Sequence, residues 1–169
     1  MWYAIQTTTG QENQTIAMCK ALIDESLLQG VFYPKTEMMK RYEGAWHKEM
    51  KPMFPGYIFA VTDQPDELHA EFLKVPKLTK LLGTDNVPVA LSKEEELLLR
   101  KVTNQEHVAE MSVGVIEGDR LIIKSGPLMG IEGLVKRINR HKRIAVVEVE
   151  MFGRMVEMTL GLEVVEKKV

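Results

Sequence analysis

The sequence predicts an α+β protein, in which strands and helices mix over the first two thirds and a small β-barrel follows. Helical apolar spacing occurs twice, over residues 11–28 and from Ser92 to about Gln105. After residue 112 no long helical pattern recurs, and short strand-like runs separated by Gly and polar turns take its place. Short strands at this spacing are typical of a barrel.

The balance of charge changes sign at the same point of the chain. Residues 1–112 carry 12 Lys and Arg against 16 Asp and Glu, whereas residues 113–169 carry 10 against 8. This asymmetry indicates different partners for the two halves. We therefore predict a first domain over 1–105, a short polar linker over 106–112, and a second domain over 113–169 that folds on its own.

In the first domain, apolar and β-branched runs indicate strands, and 3.6-residue apolar spacing indicates two helices. Pro65, near its first turn, indicates a third, short helix. The predicted strands cover residues 2–9, 31–33, 53–61 and 77–82; a long exposed hairpin covers 36–51; and helices cover 11–28, 65–73 and 92–105. Ser92 is a favourable N-cap, and Glu95 completes a capping box with it.

In the second domain, five runs are rich enough in β-branched residues to predict strands. They cover residues 120–124, 133–139, 143–150, 155–159 and 163–165. These five strands make up the predicted barrel.

Composition argues against several classes of protein. The chain has 169 residues with 45% hydrophobic content, no apolar run long enough for a membrane span, and no signal-peptide pattern at its start. Cys19 is the single cysteine, and the four histidines lack metal-ligand spacing. We therefore expect a cytoplasmic monomer that is not an enzyme and that needs no metal or other cofactor.

Phe54-Pro55-Gly56-Tyr57-Ile58-Phe59 joins a tight turn to an apolar strand. Residues two apart in a strand share a face, so Tyr57 and Phe59 point one way and Ile58 the other. From the sequence alone, the two aromatic side chains could be core residues or an exposed binding anchor.

A single-sign cluster of charge lies in the second domain. Lys136, Arg137, Arg140, Lys142 and Arg143 place five cations within eight residues, His141 is a further candidate, and no acid interrupts them. A solvated hairpin tip normally mixes signs, since like charges repel. A rigid cationic turn suits phosphate binding, and Arg can also reach guanine edges. We predict RNA binding here.

Six motifs follow one another along the chain. They are Trp2-Tyr3-Ala4-Ile5-Gln6-Thr7, Gly10-Gln11-Glu12-Asn13, Phe54-Pro55-Gly56-Tyr57-Ile58-Phe59, Leu81-Leu82-Gly83 with Pro88-Val89, the stretch from Gly118 to Val135, and Phe152-Gly153-Arg154. In this order they resemble the motifs of the NusG/Spt5 family of transcription factors, and the resemblance covers nearly the whole chain. In the motif Leu81-Leu82-Gly83, Leu81 replaces the Phe of the family pattern.

The resemblance implies an NGN domain, an antiparallel sheet flanked by helices, followed by an SH3-like KOW barrel. It also implies that Tyr57 and Phe59, with Leu82 on the rim, form an apolar pocket for the clamp helices of RNA polymerase. No catalytic activity is implied.

The basic hairpin and the short N-terminus resemble the LoaP branch of NusG paralogs. That resemblance implies a processive antiterminator of particular operons, whose KOW domain recognises an RNA hairpin in a leader transcript. An alternative is a general NusG, whose KOW domain binds ribosomal protein S10 or Rho through the surface around Phe152 and Arg154. A remoter alternative is a ribosome-associated RNA-binding protein with a KOW motif.

Overall fold

The computed structural model describes residues 1–76, 78–81, 83–84, 87–88 and 90–168. Three α-helices and fourteen β-strands lie in this part of the chain. Their contacts divide the chain into two compact units, the first comprising Met1–Tyr33 with Phe54–Glu96 and the second comprising Pro34–Met53 with Leu97–Val169.

The first unit is built on a four-stranded antiparallel sheet with strand order β2-β5-β1-β6. Its strands are β1 (Trp2–Thr7), β2 (Gly30–Phe32), β5 (Tyr57–Val61) and β6 (Leu78–Leu81), and its helices are α1 (Glu12–Leu22) and α2 (Pro65–Phe72). A short ladder pairs β7 (Gly83–Thr84) with β8 (Val87–Pro88).

One face of this sheet packs on the helices. Tyr3, Ile5, Ile58 and Ala60 lie on that face and join Cys19 of α1 in one buried cluster. The two strand residues at 58 and 60 alternate with 57 and 59, so the aromatic pair of β5 points to the other face, as predicted. Burial raises the pKa of the Cys19 thiol to about 11, so this cysteine is a core residue.

Helix α1 is shorter than predicted. It ends at Leu22, because Ile23 is extended and the Asp24 side chain accepts a hydrogen bond from the Ser26 amide at 2.8 Å. This local turn competes with the helix even though the apolar spacing continues to Leu27. Helix α3 (Lys93–Val102) begins as predicted, with the Glu95 amide donating to Ser92 Oγ at 3.1 Å.

The second unit contains the predicted long hairpin. It is formed by β3 (Lys35–Tyr42) and β4 (Ala45–Pro52), and both turn residues, Glu43 and Gly44, have positive φ. Such a turn matches the natural twist of two paired strands. A further strand, β9 (Val108–Ala109), adds in parallel to β3. It falls within residues 106–112, which the sequence indicated as a polar linker.

The rest of the second unit is a five-stranded sheet with the order β11-β10-β14-β13-β12. Its strands are β10 (Ser112–Glu117), β11 (Arg120–Ser125), β12 (Val135–Asn139), β13 (Ile144–Met151) and β14 (Arg154–Lys168). Strand β14 pairs antiparallel with β13 up to Gly161 and parallel with β10 from Leu162 onward. One long strand thus joins the two halves of the sheet.

Two sequence predictions for this sheet were wrong. The runs at 155–159 and 163–165 are one continuous strand, because Gly161 stays extended and does not end it. Strand β10 was missed, since its apolar residues lie next to the predicted linker. The fold class is confirmed: α+β with an all-β C-terminal part. The boundaries at 105 and 113 stay a prediction, and the hairpin Pro34–Met53 groups with the later residues.

No helix in the described ranges is long and apolar enough to cross a membrane. Among the same residues, no three His, Cys, Asp or Glu side chains lie close enough together to hold a metal ion.

Candidate functional site

The turn before β5 is held by a buried carboxylate. Glu12, which is 4% exposed, accepts hydrogen bonds from the Gly56 amide at 2.9 Å and from the Gly10 amide at 3.1 Å. Gly56 has φ of +86°, and a Cβ there would lie 2.9 Å from Thr9 Oγ1. Only glycine fits this turn without strain. Glu12 thereby fixes the start of β5 and the direction of its side chains.

The face of the sheet opposite the helices carries a cluster of aromatic rings. Phe59 stacks on Phe32 at 5.8 Å between ring centroids and meets the edge of Phe54 at 6.3 Å. Trp2 in turn packs against Phe32 at 5.0 Å. Each such pair contributes about 0.5–1.5 kcal/mol beyond the area it buries. These four rings form what we call the aromatic face.

Phe59 is a core residue, which is one of the two possibilities that the sequence left open, because it is 0% exposed. Phe32 is its cross-strand neighbour on β2, and Phe54 approaches from the turn. Tyr57 on the same strand is half-buried. Leu82, the third predicted residue of this site, lies outside the described residues. The assignment of Tyr57, Phe59 and Leu82 to polymerase binding stays a prediction.

Sequence reasoning missed Trp2, Phe32 and Phe54 as members of this face. Trp2 and Phe32 each lie in a short apolar strand, whose successive side chains point to opposite faces of the sheet. That signal does not say which strands are neighbours, so it could not bring the three rings together.

The predicted RNA-binding residues separate into two groups. Lys136 and Arg137 lie on β12, where Lys136 Nζ is 2.8 Å from Glu148 Oε2 and Arg137 makes a bidentate contact with Glu157 at 2.9 and 3.2 Å. The register of β12 against β13 shifts between Val135 and Arg137. This bulge leaves Lys136 as the extra residue, so two consecutive cations reach the same acidic pair.

These contacts change the titration of the groups. Hydrogen bonding to Glu148 raises the pKa of Lys136, and hydrogen bonding to Glu157 raises the pKa of Arg137. The hydrogen bond from Arg137 in turn lowers the pKa of Glu157. The uninterrupted basic run in the sequence is therefore compensated, at its first two positions, by acids from neighbouring strands.

The remaining four residues, Arg140 to Arg143, form the turn between β12 and β13, which we call the basic turn. Asn139 supports it by accepting a hydrogen bond from the Lys142 amide at 3.0 Å. Arg143 has φ of +54°, an uncommon conformation for a residue with a side chain. Its guanidinium lies 4.0 Å from the centroid of the Trp46 ring and 3.9 Å from Glu163 Oε1.

Arg140, His141 and Lys142 make no ion pair or side-chain hydrogen bond with any residue that the structure describes. Arg140 and His141 line a cavity of about 580 Å³ together with Arg41, Trp46 and Arg143. The basic turn is thus the part of the predicted RNA site whose charge is available to a ligand.

The second predicted partner surface lies at the far end of the same strands. Phe152 and Gly153 form the turn between β13 and β14 with φ of +59° and +74°, and Arg154 starts β14. Phe152 is half-buried and Arg154 is exposed. Since β13 has 8 residues, about 24 Å separates this turn from the basic turn. The two surfaces can therefore be altered independently.

Comparison with known proteins gives the same family as the motifs. A family model described as transcription termination factor nusG matches residues 1–100. The transcription termination/antitermination protein NusG of Thermus thermophilus is 31% identical, over 98% of this chain and 97% of the relative. That of Campylobacter jejuni is 25% identical, over 98% and 96%.

A solved structure on domain interaction in Thermotoga maritima NusG covers 95% of this chain and 92% of that chain, with a TM-score of 0.56 and 22% identity. This likeness supports the fold. The family match covers more than half of the chain, and the Thermus relative is similar throughout. The chain belongs to the NusG family of transcription termination/antitermination factors.

Proposed function

We propose that this chain is a processive antiterminator of the LoaP type, which docks on RNA polymerase through residues 1–105 and recognises a structured leader RNA through residues 113–169. The observation that carries the RNA part is the basic turn. Arg140, His141 and Lys142 have no acidic partner among the described residues, although Lys136 and Arg137 nearby are paired with glutamates.

The cations of this hairpin differ in whether an acid neutralises them. On β12, Glu148 and Glu157 pair with Lys136 and Arg137. At the turn the sheet supplies only Glu163, which lies 3.9 Å from Arg143. A cluster of uncompensated cations destabilises the isolated protein slightly by repulsion, and an RNA phosphate removes that repulsion.

The aromatic face supports the polymerase part of the proposal. Tyr57 is half-buried and lies on the same strand face as the packed rings. Because its side chain is already partly held in place, a partner that contacts it loses little free energy in ordering it. In the family, this face meets the clamp helices. We propose that Tyr57 makes the contact and that Phe59 holds the surface in shape from below.

The test uses the full chain. Cross-linking in cells first identifies bound RNA, and the recovered leader hairpin is then titrated beside a hairpin of scrambled sequence and a blunt duplex, each at two salt concentrations. We expect the chain to bind the leader hairpin more tightly than the other two RNAs at both salt concentrations. Equal affinity for all three RNAs would leave only non-specific charge attraction.

A second candidate is a general NusG, which acts through ribosomal protein S10 or Rho. The favouring observation is that general NusG proteins align with this chain over nearly their whole length. The surface at Phe152 and Arg154 would then bind the protein partner. Because that surface is about 24 Å from the basic turn, Arg154→Ala should reduce S10 or Rho binding and leave RNA binding unchanged.

A further inference from the structure

The basic turn faces the β3–β4 hairpin across two adjoining cavities in the second unit. The first has a volume of about 580 Å³ and is lined by Arg41, Trp46 and the basic turn's Arg140, His141 and Arg143. The second has a volume of about 480 Å³. Both fall within the range of about 300–1,000 Å³ that is typical of small-molecule pockets.

The hairpin is fixed against the five-stranded sheet by a close approach of backbones. A Cβ on Gly161 of β14 would overlap the Met111 sulfur and lie 2.5 Å from the Glu37 carbonyl oxygen of β3. Glu37 Oε1 also accepts a hydrogen bond from the Met111 amide at 3.0 Å. The walls of the cavities are therefore held together by contacts outside the cavities themselves.

The first cavity is cationic. Three arginines line it against one acid, Glu163, which lies 3.9 Å from Arg143. Arg41 and Arg140 make no ion pair with any acid in the described part of the chain. Arginine suits phosphate because its planar fork donates two parallel hydrogen bonds.

The second cavity has an apolar part, formed by the side chains of Met38, Met39, Ile144 and Trp46. Charged side chains, among them Lys40, Glu49 and Lys51, line the rest of its wall. Trp46 lines both cavities, whereas Arg143, which covers part of the indole at 4.0 Å, lines only the first. A part of the Trp46 ring is therefore accessible from the second cavity. Indole rings in such places are stacking platforms for bases.

We propose that the RNA surface continues from the basic turn onto the β3–β4 hairpin, and that the two cavities hold one unpaired nucleotide. Its base stacks on Trp46 in the second cavity, and its phosphates bind Arg41 and Arg140 in the first. This inference rests on the proposed function in RNA recognition and adds to it the kind of nucleotide that is read.

The chemistry favours an unpaired nucleotide over a duplex. A base within a duplex has both faces covered by its neighbours, so it cannot stack on an indole. Loops, bulges and ends of an RNA hairpin expose bases that can. The nucleotide is therefore expected in the loop or a bulge of the RNA, next to the stem that the basic turn contacts.

The experiment compares full-length variants against two RNA probes: a stem-loop with a purine-rich loop, and the blunt duplex of the same stem. Trp46→Leu removes the stacking surface, and we expect it to weaken stem-loop binding about 5- to 150-fold while changing duplex binding little. Trp46→Phe keeps a ring and should retain most of the affinity. Arg41→Gln should weaken binding and reduce the salt slope by about one.

Lys48→Gln is the matched control. Lys48 lies on the same hairpin as Arg41, and its substitution removes the same charge. However, Lys48 pairs with Glu37 at 3.4 Å and lines neither cavity. The affinity of the Lys48→Gln variant for the stem-loop should therefore stay near that of the parent. As a direct readout, stem-loop binding should change the fluorescence of Trp46; Trp2, which is 5% exposed, provides a reference signal.

Failure of this inference differs from failure of the proposed function. If the parent binds the stem-loop and both Trp46→Leu and Arg41→Gln bind it equally well, the nucleotide site is wrong and RNA recognition stands. If the parent binds neither probe at low salt, both are wrong. Should Trp46→Leu unfold the hairpin, seen as a lowered Tm, Arg41→Gln decides alone.

Discussion

Glu148 of β13 and Glu157 of β14 lie directly opposite each other in the sheet, and cations from β12 bind both carboxylates. Two like charges in this position repel. Lys136 lies 2.8 Å from Glu148 and 3.6 Å from Glu157, and Arg137 binds Glu157 with both amino groups. The four side chains form a neutral network, which explains why this end of the basic run is structural.

The first prediction concerns the pH dependence of stability. Because Arg137 lowers the pKa of Glu157 in the folded protein, the stability that this carboxylate contributes is fully present above its ordinary pKa of 4.5 and is lost as pH falls through the lowered value. As the pH falls from about 6 to about 3.5, the Tm of the Glu157→Gln variant should therefore decrease less than the Tm of the parent.

Glu150→Gln is the control, since Glu150 lies on the neighbouring strand β13, is exposed, and makes no described ion pair. The difference in Tm between the parent and Glu157→Gln should be small, because the network is exposed to solvent. An identical acid profile for parent and Glu157→Gln would contradict the role of the network.

The second prediction separates the two groups of cations. Arg140→Gln should weaken binding to all RNAs and reduce the slope of log affinity against log salt by about one, since a free cation is lost. Lys136→Gln should change RNA affinity much less, because Lys136 is already bound to Glu148 and Glu157. Titrations at two salt concentrations measure the RNA affinity and the salt slope of each variant. An equal loss of RNA affinity in the two variants would mean that RNA displaces the glutamates from Lys136.

The third prediction concerns the aromatic face. Tyr57→Ala should weaken binding to bacterial RNA polymerase at least about tenfold, the loss expected for a buried aromatic anchor, and leave the fold intact. Leu73→Ala is the matched control, because Leu73 is an apolar residue of the first unit that is 73% exposed. Co-purification with polymerase would show the difference.

Phe59→Ala is not a suitable test of the same contact. Phe59 is 0% exposed and packs on two rings, so its truncation should cost about 3–5 kcal/mol of unfolding free energy. A loss of polymerase binding would then reflect unfolding. If Tyr57→Ala binds polymerase as tightly as the parent, this face is not the docking surface.

The fourth prediction concerns the contact between β14 and β3. Gly161→Ala should destabilise the second unit by about 1–3 kcal/mol, because the added methyl group meets Met111 and the Glu37 backbone. Gly133→Ala is the control, since nothing lies within 4 Å of a Cβ there. Limited proteolysis of the β3–β4 hairpin should be faster only in the Gly161 variant. Equal proteolysis would show that this close approach does not hold the hairpin.

The fifth prediction concerns the turn before β5. Glu12→Ala should destabilise the protein by about 1–3 kcal/mol, because the Gly56 amide loses its acceptor in a buried position. Glu25→Ala removes the same charge from an exposed site and should have little effect. Chemical denaturation of both variants makes the comparison, and a Glu12→Ala midpoint equal to that of the parent would contradict it.

Features that depend on a few neighbouring residues could be predicted from the sequence alone. They include the cap at Ser92, the long hairpin over 36–51, the opposite faces of Ile58 and Tyr57, and the strand-rich C-terminal part. Each follows from backbone preferences or from the period of a strand, and these act over a few residues. The ordered motifs also indicated the family, which the comparisons confirmed.

Which charged groups and which rings are in contact depends on the packing of the folded chain. It placed Glu148 and Glu157 beside Lys136 and Arg137, and it covered Phe59 with Phe32 and Phe54. It also placed Trp46 of the hairpin under Arg143 of the basic turn. Strand order and one bulge bring these partners together, and a local sequence pattern encodes neither.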